Sequence, residues 1–192
     1  MLNLRHLQFE YEPSFRLLIQ DFEELLAFVE PVDANLATYS HRSFELLLRA
    51  CTEFESLSKQ GLVAAGNLKQ PSSMTVLDYV LLEASVPLSA LEVGIMVWRP
   101  KPIYVRPFAG WQTASPPLAW YSDYNKVKHN RNTEFSRASL ENLRLAICAL
   151  YLLLVKTYVP DLTGIPQRIG NVNGVSETLI DVFPYSRISV RA

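Results

Sequence analysis

The segment from Leu145 to Val155 contains only apolar residues and one tyrosine, and it constrains the fold more than any other part of the chain. A helix that is apolar on every side must be surrounded by other elements. The segment is well short of the roughly 20 apolar residues that a membrane span needs, and Lys156 follows it. We therefore expect a central core helix, part of which could instead be buried against a second subunit.

Composition places the chain among single-domain globular proteins. Its 192 residues, of which 49% are hydrophobic, are enough for one domain with a sizeable core. The formal net charge of −1 gives no global argument for nucleic acid binding. The N-terminus lacks the apolar core of a signal peptide, and Cys51 and Cys148 are expected to be buried thiols of a reduced compartment. These features predict a cytoplasmic protein without membrane contact.

Helical periodicity and helix-breaking residues predict a mostly α single domain over residues 1–160, followed by an irregular C-terminal extension over 161–192. A β-hairpin at about 93–108 is inserted, because β-branched and aromatic runs flank a Pro-rich turn. A further short strand is predicted at 178–183. The first expected helix covers about 14–30 and is capped by Ser14, and the second covers about 35–59 and ends near Gly61. A third runs from Ser73 or Thr75 to Pro87, and Pro116 and Pro117 open a fourth. The last runs from about Ser136 to just before Pro160.

The aromatic-basic segment, residues 120–131, is the best candidate for a functional site. On a helix, residues three and four apart are neighbours, so one side is shared by Trp120, Tyr124, Val127 and Arg131. Asn125 and His129 then lie one turn apart beside them. Such a group could hold a phosphate or a ribose, or it could anchor a buried polar network. The sequence alone leaves both alternatives open.

Two charged residues fall inside apolar helical arcs. Glu55 lies between Phe44 and Leu48 on the second helix, with Lys59 at the border of the arc. Lys128 projects from the apolar side of the aromatic-basic segment. An unpaired buried charge is costly, so the pattern predicts that Glu55 is buried and pairs with Lys128 or with another donor of that helix. The pair could serve a site or only fix helix register.

His129 has three interpretations: a general acid or base, a phosphate-binding cation, or a hydrogen-bonded structural histidine. Its basic neighbours favour the first two, whereas His6 and His41 have no such companions in the sequence. Basic residues outnumber acidic ones between Arg99 and Arg131, which predicts a locally basic face or scattered surface charge. No Gly-rich phosphate loop and no metal-ligand spacing are present, so no cofactor and no metal are expected.

The blocks 44–59 and 120–131, with the apolar helix that follows, resemble the HEPN superfamily of small helical proteins. The resemblance covers about a third of the chain. It implies an HEPN-like antiparallel helical bundle, usually a symmetric homodimer. Many members are metal-independent RNA endonucleases of toxin–antitoxin, abortive-infection and CRISPR-associated systems.

The resemblance also implies roles for individual residues. Active members carry an arginine, four to six residues, and then a histidine, with a glutamate and a lysine from an earlier helix. His129 matches the histidine, and Glu55 and Lys59 match the earlier pair. The arginine positions hold Ser122, Asp123 and Tyr124 instead, so the nearest substitutes are Asn125, Lys126, Lys128 and Arg131.

In the function that the resemblance implies, the chain is an RNA-binding protein or a metal-independent endoribonuclease of bacterial defence or a toxin–antitoxin system. His129 handles the proton of a ribose 2′-hydroxyl, Lys128 and Arg131 stabilise phosphate charge, and Asn125 orients the backbone. The supporting residues are Glu55, Lys59, Tyr124 and Trp120. The alternative is a non-catalytic helical module that binds a protein partner such as an antitoxin.

Overall fold

The computed structural model describes residues 5–85, 87–111, 118–158 and 188–191. Within these ranges the α-helices are α1 (Arg5–Leu26), α2 (His41–Ala64), α3 (Val76–Tyr79), α4 (Leu82–Ser85), α5 (Ala119–His129), α6 (Arg131–Glu134) and α7 (Leu140–Tyr158). The strands are β1 (Glu92–Ile95), β2 (Ile103–Val105) and β3 (Ile188–Arg191). The mostly α fold with a β-hairpin is therefore confirmed.

Helix α7 is the centre of the bundle, because α1, α2 and α5 all pack against it. Its residues 146–155 are all buried, and Leu145 is partly buried. The expected core helix is confirmed. Since its apolar surface is covered within one chain, α7 itself gives no argument for a second subunit. In the described part of the chain, no helix combines the length and the apolar character that crossing a membrane requires.

Helix α2 begins later and ends later than its sequence pattern predicts. Ser40 caps it, since its Oγ accepts a hydrogen bond from the Ser43 backbone N–H at 3.0 Å, and Ser43 Oγ accepts one from the Ser40 N–H at 2.7 Å. These reciprocal bonds satisfy N–H groups that a helix start leaves without partners. Gly61 lies inside the helix. The chain leaves α2 through Gly66, whose φ of 83° is the left-handed conformation that glycine adopts without strain.

Two other predicted helix starts, at Ser14 and Ser136, were wrong, and one predicted helix is divided in two. Ser14 lies inside α1, where its hydroxyl donates to the Tyr11 carbonyl oxygen, so it caps nothing. The helix expected from Ser73 or Thr75 to Pro87 is divided into α3 and α4, and of the two predicted starts Thr75 is the cap of α3. Helix α7 begins after Ser139, whose hydroxyl accepts a hydrogen bond from the Asn142 N–H at 3.3 Å, and not near Ser136.

The predicted hairpin is present, with β1 and β2 antiparallel and Val93 opposite Val105. Strand β3 pairs with the other edge of β1, so β1 is the middle strand of a three-stranded sheet. Residues 188–191 thus form a strand within the extension that the sequence pattern predicted to be irregular. The strand predicted at 178–183 lies outside the described residues. So do residues 112–117, which include the prolines expected to open α5.

Candidate functional site

The N-terminal part of α5 is built into the core. Trp120, Tyr121, Tyr124 and Val127 are buried. The Trp120 indole N–H donates to the Pro107 carbonyl oxygen at 2.8 Å, and its ring packs edge-on against Phe54 with centroids 5.2 Å apart. Trp120 and Tyr124, which the sequence assigned to the support of a site, therefore position α5 through the core.

The C-terminal end of α5 is different, because its last turn carries three exposed basic residues: Lys126, Lys128 and His129. Basic side chains are favoured there on physical grounds alone, since the last turn of a helix presents carbonyl groups without partners. Asn130 interrupts the helix with φ −131° and ψ 51°, and α6 starts at Arg131. The prediction that Arg131 continues the face of Trp120 on one helix was therefore wrong.

Arg131 is held by three side chains that come from other parts of the chain or from the following turn. Its guanidinium carbon lies 4.9 Å from the centroid of the Phe44 ring and 5.2 Å from that of Phe135. One terminal nitrogen, Nη2, lies 2.7 Å from Nδ1 of His41. The His41 ring is in turn 5.0 Å from the Phe135 ring. We call these four residues the Arg131 cluster.

The guanidinium in this cluster is held in place but has no charge partner in the part of the chain that the structure describes. Arg131 is exposed, and no carboxylate among the described residues forms an ion pair with it. Other arginines of the fold do have such partners: Arg42 and Arg49 both bind Asp21, and Arg137 binds Asp123. An arginine that is ordered by aromatic rings, exposed and unneutralised is suited to bind an anion, because little side-chain entropy remains to be lost.

One carboxylate, that of Asp123, links the connection between α5 and α7 to the core. Asp123 accepts hydrogen bonds from Arg137 Nη1 at 2.6 Å and from Asn142 Nδ2 at 3.2 Å. Asn142 is buried, and the same nitrogen donates to the Arg137 carbonyl oxygen at 2.9 Å. These bonds join α5, the turn after α6 and the start of α7, so they hold in place the short segment that contains Arg131.

The other predicted site residues are placed as follows. His129 is exposed and makes no hydrogen bond or ion pair with a described residue. Asn125, one turn earlier on α5, is half-buried. Lys128 is exposed, and its Nζ donates to the Tyr124 hydroxyl at 2.9 Å and lies 5.0 Å from the centroid of the Tyr124 ring.

Glu55 is half-buried and accepts a hydrogen bond from the Tyr121 hydroxyl at 2.9 Å. A donor from α5 therefore exists, but it is a tyrosine, and no ion pair joins Glu55 to Lys128 among the described side chains. Burial and the nearby Glu55 charge raise the pKa of Tyr121 and of Tyr124. Lys59 is half-buried one turn further along α2. The carboxylate thus belongs to a polar contact within the core.

His41 is the residue that the sequence pattern missed. It is 90 positions from Arg131 in the chain, and no local spacing connects the two. The one available signal was the Ser40-x-x-Ser43 pattern, which places His41 at the exposed first position of a helix. Because α2 was predicted to begin near Asn35, His41 was not expected at a helix start.

No family model, no curated protein and no solved structure matches this chain. Among the described residues, no group of three or more histidine, cysteine, aspartate or glutamate side chains is arranged to hold a metal ion.

Proposed function

We propose that this chain is an HEPN-like protein that binds RNA at the Arg131 cluster and cleaves it at the neighbouring His129 without a metal ion. The observation that carries the proposal is the Arg131 guanidinium, which is exposed and contacts Phe44, Phe135 and His41. It has no carboxylate partner among the described residues. A planar guanidinium offers several N–H donors in a geometry that matches phosphate oxygens.

The reaction uses the 2′-hydroxyl of RNA. The neutral imidazole of His129 accepts the 2′-hydroxyl proton, and the 2′-oxygen forms a bond to the adjacent phosphorus. The bond from phosphorus to the 5′-oxygen breaks, and water supplies the proton that the leaving oxygen takes. The products are a 2′,3′-cyclic phosphate and a 5′-hydroxyl. Arg131 and Lys128 stabilise the charge that develops on the phosphate oxygens, and Asn125 orients the backbone.

The resemblance of blocks 44–59 and 120–131 to the HEPN superfamily supports RNA as the anion. It also implies a homodimer and a role in bacterial defence or a toxin–antitoxin system, both of which belong to this proposal. The Arg131 cluster gives the resemblance physical support, because it joins the two blocks: Phe44 comes from the first block and Arg131 from the second. The two blocks that carry the resemblance thus meet at one exposed cation.

A second candidate function is a non-catalytic module that binds a protein partner such as an antitoxin. Exposed apolar side chains between the end of α2 and the start of α4 favour it: Leu68 is 96% exposed, Leu77 55% and Leu81 52%. The three lie within one short stretch of the chain, and a contiguous exposed apolar patch is typical of a protein-binding surface. In that case the Arg131 cluster would not be required for binding.

The proposal is tested by fluorescence anisotropy with a labelled single-stranded RNA that lacks stable secondary structure. Arg131→Ala should weaken binding about tenfold, which is the loss of one charge-assisted contact. It should also reduce the slope of log affinity against log salt by about 0.7, since one phosphate contact disappears.

Lys101→Ala is the matched control, because it removes the same charge from the exposed turn between β1 and β2. Its affinity should stay within about twofold of the wild type. Equal weakening by both substitutions would mean that only the overall charge matters and would contradict a site at Arg131.

A further inference from the structure

The His41 ring has a defined orientation and a defined proton position. A guanidinium has only donors, so Arg131 Nη2 donates and His41 Nδ1 accepts across the 2.7 Å between them. The neutral ring must then carry its proton on Nε2. The ring packs against Phe135, yet the residue is exposed, and no other hydrogen bond joins His41 to a described residue. Its Nε2–H therefore has no hydrogen-bond partner among the described residues.

We propose that His41 is a second phosphate-binding residue, which donates its Nε2–H to a non-bridging phosphate oxygen while its Nδ1 holds Arg131 in place. This inference rests on the proposed RNA site and adds to it a residue from α2. Together, Arg131 and His41 present donors from two elements that are distant in sequence, so one phosphate contacts both the start of α2 and the start of α6.

The same geometry separates the roles of the two histidines. A proton acceptor needs a free lone pair on a ring nitrogen. In His41 the lone pair of Nδ1 is engaged by Arg131, and Nε2 carries the proton, so neither nitrogen can accept the 2′-hydroxyl proton. His129 makes no hydrogen bond with a described residue, so it keeps that capacity. His41 binds and positions, and His129 accepts the proton.

Two amide substitutions test separately the two contacts of His41, which are the bond that Nδ1 accepts from Arg131 and the bond that Nε2 donates to phosphate. In His41→Asn, the amide oxygen takes the place of Nδ1 and still accepts from Arg131, but nothing replaces the Nε2 donor. In His41→Gln, the amide N–H takes the place of Nε2, and the contact with Arg131 is lost. His41→Ala removes both. Thermal stability and circular dichroism of each variant confirm folding before binding is compared.

We expect His41→Ala and His41→Asn to weaken RNA binding about tenfold, and His41→Gln to recover part of that loss. In the variants that still cleave, the shape of the pH–rate profile should match the wild type, because the proton acceptor is unchanged. Long-range ¹H–¹⁵N NMR of the histidine rings should show the His41 proton on Nε2. In Arg131→Ala, the proton should no longer be confined to Nε2.

Each outcome bears on one of the two proposals. Wild-type affinity in His41→Ala, or a His41 proton on Nδ1, overturns this inference while the RNA site at Arg131 and His129 stands. Loss of an entire limb of the pH–rate profile in His41→Asn would make His41 the proton acceptor and also overturns it. A wild-type protein that does not bind RNA overturns the proposed function, and with it the role of His41.

Discussion

The contact between Glu55 and Tyr121 gives the sharpest energetic prediction. Glu55→Ala removes the only acceptor that the Tyr121 hydroxyl, on a residue only 5% exposed, has among the described side chains. A buried hydroxyl left without a partner costs about 1–3 kcal/mol. This is less than the 3–5 kcal/mol of a broken buried ion pair, because the donor is neutral and Glu55 is only half-buried.

Substitution of the donor, Tyr121, should lower the free energy of unfolding by less. Tyr121→Phe removes the donor, but water still reaches the half-buried Glu55 carboxylate, so we expect a loss of about 0.5–1.5 kcal/mol. Glu55→Gln keeps an acceptor oxygen and should cost less than about 1 kcal/mol. In the double variant, the unsatisfied hydroxyl is absent, so its cost should be smaller than the sum of the single costs by about 1 kcal/mol.

The assay is equilibrium unfolding in urea at neutral pH, with the midpoint and the slope reported for each variant. An unchanged slope with a lower midpoint is the expected signature of a lost contact. Wild-type stability of Glu55→Ala would show that the hydroxyl finds another partner. Strict additivity in the double variant would show that the two residues do not interact, and either result would refute this account of the contact.

Three further predictions concern stability and assembly. Phe54 packs against five aromatic rings, so Phe54→Ala should lower the free energy of unfolding by about 3–5 kcal/mol in the same urea assay. The control is Phe28→Ala, at a residue 82% exposed, which should change it by less than about 0.5 kcal/mol. Burial raises the pKa of Tyr121 and Tyr124 above the ordinary 10.0 and that of Cys148 from 9.0 to about 12. Stability should therefore fall by about 1.4 kcal/mol per pH unit per group, above about pH 9 for Cys148 and above about pH 10 for each tyrosine. Equal stability at pH 8 and pH 11 would contradict this burial. If the proposed homodimer forms, light scattering at tens of micromolar should give twice the chain mass of 21.8 kDa, and a monomer mass would argue against that proposal.

The fold was predictable where the pattern of apolar residues alone decides it. The run from Leu145 to Val155 required a surrounded helix, and the β-branched and aromatic runs on both sides of the Pro-rich turn indicated a hairpin. Helix limits were less predictable, because they depend on single hydrogen bonds. Ser14 is a residue type that caps helices well, yet it lies inside α1, whereas α2 is capped by Ser40 through its reciprocal hydrogen bonds with Ser43.

The candidate site was predictable only in part. The aromatic-basic segment correctly marked α5, but the turn at Asn130 separates Arg131 from that helix and directs it toward Phe44. The partner His41 could not be found from spacing, because the contact joins residues 90 positions apart. Local periodicity identifies faces of one helix, whereas a site formed between helices depends on how they pack.

The most direct test of the central claim is cleavage of a panel of structured and unstructured RNAs by the purified protein in the presence of EDTA. The account predicts products with 2′,3′-cyclic phosphate ends from the wild-type protein. His129→Ala should abolish cleavage and change the unfolding midpoint little, because the residue is exposed and makes no hydrogen bond with a described residue. A wild-type protein that leaves the whole panel intact would contradict the enzyme, and undiminished cleavage by His129→Ala would contradict its catalytic residue.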